Sequence, residues 1–396
     1  MTAPTPATAA TSRLAARVAA VPPSGIRRFF DIIATMPDVI SLGVGEPDFT
    51  TPPQIIEAAV RSLREGHTHY TSNYGLIELR RALATHLERL YGVRYDPATE
   101  ILVTVGVSEA AAVAMTALID PGDEVLLHEP SFVAFVPDIL FAGGTPVLLA
   151  TRFEDSFALD PAVVEAAITP RTKLLFLSYP CNPTGAVLPP ETLRALADIA
   201  VRHDLTVLSD EIYDRLIYGG HRHETIAALP GMRERTVLMG GFSKSYAMTG
   251  WRVGYVCAPP QIIEGILKVH QYVIMSAPTV SQYAAIAALQ EGERDVERMR
   301  AEYDRRRRVV VDGFNRMGLP TFEPKGAFYC FPRTAVTGLT SDDFSERLLF
   351  EEKVAVVPGS AFGPSGEGHV RVCYAASMEK IEEALRRIER FVRSLE

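Results

Sequence analysis

Residues 206–244 read TVLSDEIYDRLIYGGHRHETIAALPGMRERTVLMGGFSK. The segment opens and closes on short aliphatic runs of strand length, Thr206–Ser209 and Thr236–Met239. Runs of that kind, rich in Val and Leu with little alternation, suit strands covered on both faces of a mostly parallel sheet. Each is followed at once by residues that carry chemistry. Ser209-Asp210-Glu211-Ile212-Tyr213 follows the first, and Gly240-Gly241-Phe242-Ser243-Lys244 follows the second. Asp210 and Lys244 lie 34 residues apart (244 − 210), the length of one strand–crossover–strand unit.

The same alternation extends outward in both directions. Further strands are expected at Ile101–Val105, Glu124–His128, Thr145–Leu149, Lys173–Ser178 and Val253–Cys257, with helical patterns such as Glu109–Ile119 and Glu191–His203 between them. Seven strands interleaved with helices predict an α/β fold with a mostly parallel seven-stranded sheet flanked by helices. In such sheets ligands bind beyond the carboxyl ends of the strands. Two more features fall there. One is the turn Tyr179-Pro180-Cys181-Asn182-Pro183-Thr184-Gly185; the other is Val105-Gly106-Val107-Ser108-Glu109, where a strand passes through glycine into a helix. The free N–H groups of that helix start form a ready seat for phosphate. Each feature also has a plainer reading. Asp210 and Ser108 suit helix caps, and Asn182-Pro183 with Gly185 suits an ordinary turn.

After about Pro278 the pattern changes. A long charged helix is expected over Arg294–Met317, with Val296, Tyr303, Val310 and Met317 on one stripe and the Arg305–Arg308 run on a solvated face. Short strands near Ala327–Phe331, Val354–Val357 and Val370–Tyr374 mix with helices at Asp342–Glu352 and Met378–Leu395. This predicts a large α/β domain over 51–290 and a smaller α+β domain from 1–50 with 291–396, the first 20 residues being disordered.

Composition narrows the function. The chain has 396 residues and a net charge of −8 (40 Lys+Arg against 48 Asp+Glu), which argues against nucleic acid as a partner. No apolar run approaches the length of a membrane span, so no membrane is expected. Cys181, Cys257, Cys330 and Cys373 match no metal or disulfide spacing, which predicts reduced thiols and a cytoplasmic setting. His67 with His69 and His221 with His223 lack a third ligand nearby, so no metal is expected. Trp251 reads as packing.

The stretches SLGVGEPDF (41–49), YTSNYGLIELR (70–80), YPCNPTG (179–185), SDEIY (209–213), SKSYAMTGWRVGY (243–255) and HVRVCYA (369–375) together resemble the class I aminotransferases. These are pyridoxal 5'-phosphate (PLP) enzymes of fold type I, and the aspartate/aromatic branch is the nearest likeness. The resemblance runs from about Ile26 to the C-terminus. It implies that Lys244 holds PLP as a Schiff base and then serves as the base, that Asp210 pairs with the pyridinium nitrogen, and that Tyr213 and Asn182 hydrogen-bond the ring's phenolic oxygen. It implies a phosphate seat on Gly106, Val107 and Ser108 with Arg252, and Phe132 stacked on the ring. It further implies Arg371, with Asn182 and the backbone near Gly45, on the substrate α-carboxylate. Tyr70 would reach the phosphate of a neighbouring subunit, so a homodimer with shared sites is expected. Gly241 stands where many relatives carry a phosphate-binding Ser, and Ser243 is the nearest hydroxyl.

The expected activity is transfer of an amino group from an L-amino acid, aspartate-like first and aromatic second, to a 2-oxo acid such as 2-oxoglutarate, by a ping-pong scheme. Arg27 or Arg28 is a candidate for a distal carboxylate. Two alternatives keep the fold: a PLP-dependent C–S β-lyase, and a non-catalytic regulatory or binding protein.

Overall fold

In the computed structural model, residues 13–22, 36 and 38–395 are described. The strands are β1 (Ile40–Ser41), β2 (Ile101–Thr104), β3 (Glu124–Glu129), β4 (Thr145–Ala150), β5 (Thr172–Ser178), β6 (Thr206–Asp210), β7 (Thr236–Gly241), β8 (Gly254–Cys257), β9 (Tyr329–Cys330), β10 (Val354–Ala355), β11 (Val357–Pro358) and β12 (Val370–Cys373). Seven of them form one sheet in the order β2-β8-β7-β6-β5-β3-β4. Its neighbours are parallel except β8, which runs antiparallel to β2 and β7. All seven strands expected from the sequence are in this sheet.

Alternate strand residues face opposite helical layers, as the two-residue strand period requires. Leu174, Phe176, Leu208, Val237 and Met239 pack with Ala110 and Ala114 of the helix Gly106–Leu118 and with Ile263 and Ile266 of the helix Pro260–Val273. Leu175, Leu177 and Val207 face the other way, onto Leu193 and Leu196 of the helix Pro190–Arg202. Register then places the chemistry. Ser178 pairs with Asp210 and Asp210 with Met239, so β5 and β6 end together, β7 runs two residues further, and the residues after all three project beyond one edge.

A second core is built on the helix Glu293–Arg316, with Tyr303, Val310 and Phe314 packed against Phe328, Phe344, Val372 and Ile388. Leu42 and Tyr213 also enter it, so the sheet edge and this core meet at the strand ends. Here β11-β12-β9 form an antiparallel sheet and β1 pairs with β10 in parallel. The expected strand over Val354–Val357 is thus two short strands in different sheets. Met1–Thr11 lies outside the described residues, while Ala16–Ala19 forms an exposed helical turn.

The arginine run departs from the solvated face expected of it. Arg305 and Arg308 are exposed, but Arg306 and Arg307 are buried. Arg306 bridges Glu302 at 2.9 Å and Asp48 at 2.8 Å. Arg307 bridges Asp304 and Glu323, each at 2.7 Å, and donates to the Pro324 carbonyl at 3.1 Å. Four consecutive helical positions sweep all round the axis, so a run of one residue type cannot share one face. Truncating Arg307 would empty the buried space beside the Tyr218 ring and leave the buried Pro324 carbonyl without its donor. Arg307→Ala should therefore lower stability by about 2–4 kcal/mol and Arg308→Ala by less than about 0.5 kcal/mol, read as shifts in the urea unfolding midpoint.

Candidate active site

The sheet's carboxyl edge opens into a cavity of about 340 Å³. Of the residues predicted for the site, Gly45, Val107, Ser108, Phe132, Asn182, Asp210, Tyr213, Lys244, Arg252 and Arg371 all line it. Gly106 adjoins it through Arg252: a Cβ on Gly106 would stand 2.8 Å from the guanidinium. Tyr70 does not line it; its side chain is 82% exposed, away from its own chain's cavity. Arg27 and Arg28 lie outside the described residues.

Asp210 ends β6 and is buried. Its carboxylate accepts from Ser178 Oγ at 3.1 Å and from the Ile212 N–H at 3.2 Å. Burial nevertheless pushes its pKa up to about 6, outweighing those hydrogen bonds. Lys244 follows β7, and its Nζ donates to the Gly45 carbonyl at 2.7 Å. Burial lowers this amine to about 8. Tyr213 and Tyr329 share a hydroxyl–hydroxyl hydrogen bond of 2.8 Å. Both phenols are pushed up chiefly by burial, so they serve as neutral donors.

Arg371 in β12 is buried with its guanidinium over the Tyr329 and Phe362 rings. It donates to Asn182 Oδ1 at 2.9 Å and to the Gly43 carbonyl at 2.5 Å, while its Nε has no partner. A buried donor without an acceptor is costly, which suits a site waiting for an anion. Asn182 thus spends its carbonyl oxygen on Arg371, leaving its amide N–H groups for a ligand.

The helix start is one turn earlier than a Ser108 cap would give. Val105 is the cap residue, Gly106 takes φ +75°, and Ser108 stands inside the first turn with no capping hydrogen bond. Arg252 donates to the Thr249 carbonyl at 3.0 Å and lies beside this turn. At Gly241 a Cβ would press on Ile212 and Val107 at 3.1 Å, so the Ser that many relatives place there would crowd this wall. Ser243 lines the cavity instead. Trp251 donates to Thr51 Oγ1 at 2.9 Å and packs in the core.

Sequence reasoning missed Ser178, Thr249 and Tyr329. Ser178 was legible only as the last residue of its strand, and Tyr329 sits in the apolar run AFYCF, which reads as core. A larger cavity of about 460 Å³ lies behind Glu211 and Lys325. The Glu211 carboxylate is already satisfied by Ser209, Thr225 and His223, at 2.8, 2.7 and 2.5 Å. Among the described residues no cluster of three or more His, Cys, Asp or Glu is placed to hold a metal.

The sequence profile of the family described as aminotransferase class I and II matches residues 37–388. An aspartate aminotransferase of Pyrococcus abyssi is 50% identical over 95% of this chain and 97% of its own length. An aromatic-amino-acid aminotransferase of Thermococcus litoralis is 46% identical over 96% and 98%. The crystal structure of an aromatic aminotransferase from Pyrococcus horikoshii superposes with a TM-score of 0.89 at 49% identity, covering 94% of this chain and all of that one. The chain belongs to the class I and II aminotransferases. It is a transaminase of fold type I, as its sequence motifs implied.

Asp210 gives a stability test with a definite sign. Its folded pKa of about 6 lies above the ordinary 3.8. Between those values the folded state binds more protons, so stability falls as pH rises through that window. Asp210→Asn, a neutral isostere, should stabilise the ligand-free protein by about 1–3 kcal/mol above pH 6. The gain should vanish below about pH 3.8, and thermal unfolding across pH measures both.

Proposed function

We propose that this transaminase works with PLP in the 340 Å³ cavity, moving the amino group of an L-amino acid to a 2-oxo acid such as 2-oxoglutarate. The observation that carries the reading is a half-buried amine, Lys244, and a buried carboxylate, Asp210, facing one cavity without a hydrogen bond to each other. The residues fit the cofactor. Asp210 would hold the ring nitrogen, Lys244 the aldehyde carbon, Phe132 a ring face, and Tyr213 with the Asn182 amide the phenolic oxygen. The Gly106–Ser108 N–H groups, Arg252 and Ser243 would hold the phosphate. Bound there, PLP supplies a carbonyl for the donor nitrogen and an electron sink for the pair left at Cα.

The protein's own part is binding and proton handling. Arg371 grips the donor α-carboxylate, offering its unpartnered Nε, and the backbone near Gly45 lies alongside. An amine with pKa near 8 is partly neutral at physiological pH, so Lys244 Nζ takes the proton from Cα. Asp210, ionised above about pH 6, keeps a cationic ring nitrogen charged. Product leaves before the acceptor enters, because both need Arg371; this gives ping-pong kinetics.

The cavity wall favours an aromatic donor over aspartate. Val107, Phe132, Val133, Phe135 and Ile212 line it, and its cations among the described residues are Lys244, Arg252 and Arg371. All three are engaged in the scheme above. A distal carboxylate would need Arg27, Arg28 or a neighbouring subunit.

The reading includes a homodimer in the cytoplasm, with domains 51–290 and 1–50 plus 291–396. Tyr70 (82% exposed), Tyr272 (87%) and Val273 (66%) support the dimer as large exposed side chains on two segments that the Asn73–Met275 hydrogen bond joins. No helix among the described residues is long and apolar enough to cross a membrane.

An amino-donor screen with 2-oxoglutarate tests the activity. The expected result is parallel double-reciprocal lines, aromatic donors ahead of aspartate, and a loss of about 10²–10⁴-fold or more in Lys244→Ala. Release of ammonia and pyruvate from cysteine conjugates, in place of amino transfer, would turn the assignment to a β-lyase. Sedimentation should give twice the 43.4 kDa chain mass, and Val273→Asp should shift it toward the monomer.

A further inference from the structure

We propose that Glu109 and His270 are positioning residues that hold the Gly106–Ser108 turn in its anion-binding shape; this rests on the reading that the turn seats the cofactor phosphate. The N–H groups of that turn converge only while the backbone before them is held. Val105 is outside helical geometry (φ −79°, ψ 63°), and Gly106 takes the left-handed φ of +75°. Thr104 Oγ1 donates to the Gly106 carbonyl at 3.0 Å from the strand side. From the helix side, Glu109 accepts the Val105 N–H at 2.5 Å, much as the acidic residue of a capping box reaches back to the chain entering its helix.

The other Glu109 oxygen lies 2.6 Å from His270 Nδ1. His270 comes from the helix Pro260–Val273 across the layer, and its side chain is wholly buried. With the carboxylate as acceptor, the ring carries its proton on Nδ1. Its Nε2 is then left buried without a partner. That orphan nitrogen is a cost, and an apolar ring would avoid it. The imidazole is explained by what its other nitrogen does, which is to aim Glu109 back at Val105. Neither residue lines the cavity, so both act on an anion only through the turn.

The test compares two ligands on the cofactor-free protein, PLP and pyridoxal, which lacks the phosphate, with binding followed by absorbance. Glu109→Ala should weaken PLP binding about tenfold or more and leave pyridoxal binding within about threefold of wild type. Glu109→Gln, whose amide oxygen still accepts from Val105, and His270→Asn, whose amide nitrogen replaces Nδ1, should keep PLP affinity within about threefold. His270→Phe should behave as Glu109→Ala. If Glu109→Ala does not fold, the His270 pair carries the same comparison. Equal loss of both ligands, or loss of neither, would overturn the inference. Wild type that binds no PLP would overturn the proposed function itself, and the reference titration shows that before any variant is compared.

Discussion

The site depends on holding a carboxylate and an amine dry and apart at one edge of a sheet. Asp210 and Lys244 are each driven toward neutrality by burial, and each takes its hydrogen bonds elsewhere. Left to themselves, the two would form an ion pair or open to water. The parallel register prevents this by fixing Asp210 at the end of β6 and sending the chain five residues past Met239 before Lys244. The apolar helical layers on both faces supply the rigidity that this arrangement needs. Holding two ionisable groups this way costs stability, a common trade at active sites.

Much of this was legible in the residues. Buried parallel strands leave near-continuous aliphatic runs, so all seven strands of the main sheet could be read, and the ends of those strands marked Asn182, Asp210 and Lys244. What the sequence hides is contact between segments distant in the chain. Tyr329 belongs to a core-like run and becomes a site residue only because β12 pairs beside β9, bringing Arg371 over its ring. Ser178 contacts Asp210 through a register that no local pattern encodes. Arg306 and Arg307 read as surface charge because their acidic partners Asp48 and Glu323 come from loops outside the helix. Ser108 misled in a different way. It is good cap chemistry, but the left-handed glycine before it had already started the helix.

The segment Gly43–Glu46 shows how the two cores are made to share one site. Gly43 offers its carbonyl to Arg371 from the second core, Gly45 offers its own to Lys244 from the main sheet, and Glu46 accepts from Thr249 beside Arg252. Side-chain bulk is excluded at Gly45, where a Cβ would collide with the Tyr329 hydroxyl. One short segment, by two carbonyls and one side chain, thus touches the expected base, carboxylate and phosphate ends of the cavity.

This placement bears on specificity. Backbone carbonyls in that stretch occupy the Lys244 ammonium and one arm of Arg371, so neither cation is idle before a ligand arrives. On the proposed reading an α-carboxylate would take the unpartnered Nε and compete with the Gly43 carbonyl and Asn182 only for the other arms, where charge-assisted bonding favours it. A neutral group in the same place would lose that competition. On that reading, selection for the acid end of a donor would rest on the hydrogen bonds Arg371 already makes. Selection for the side-chain end would fall to apolar contact with wall residues such as Val133, which discriminates by only about 1–3 kcal/mol per methylene. A site built this way would be strict about the α-carboxylate and tolerant about the side chain.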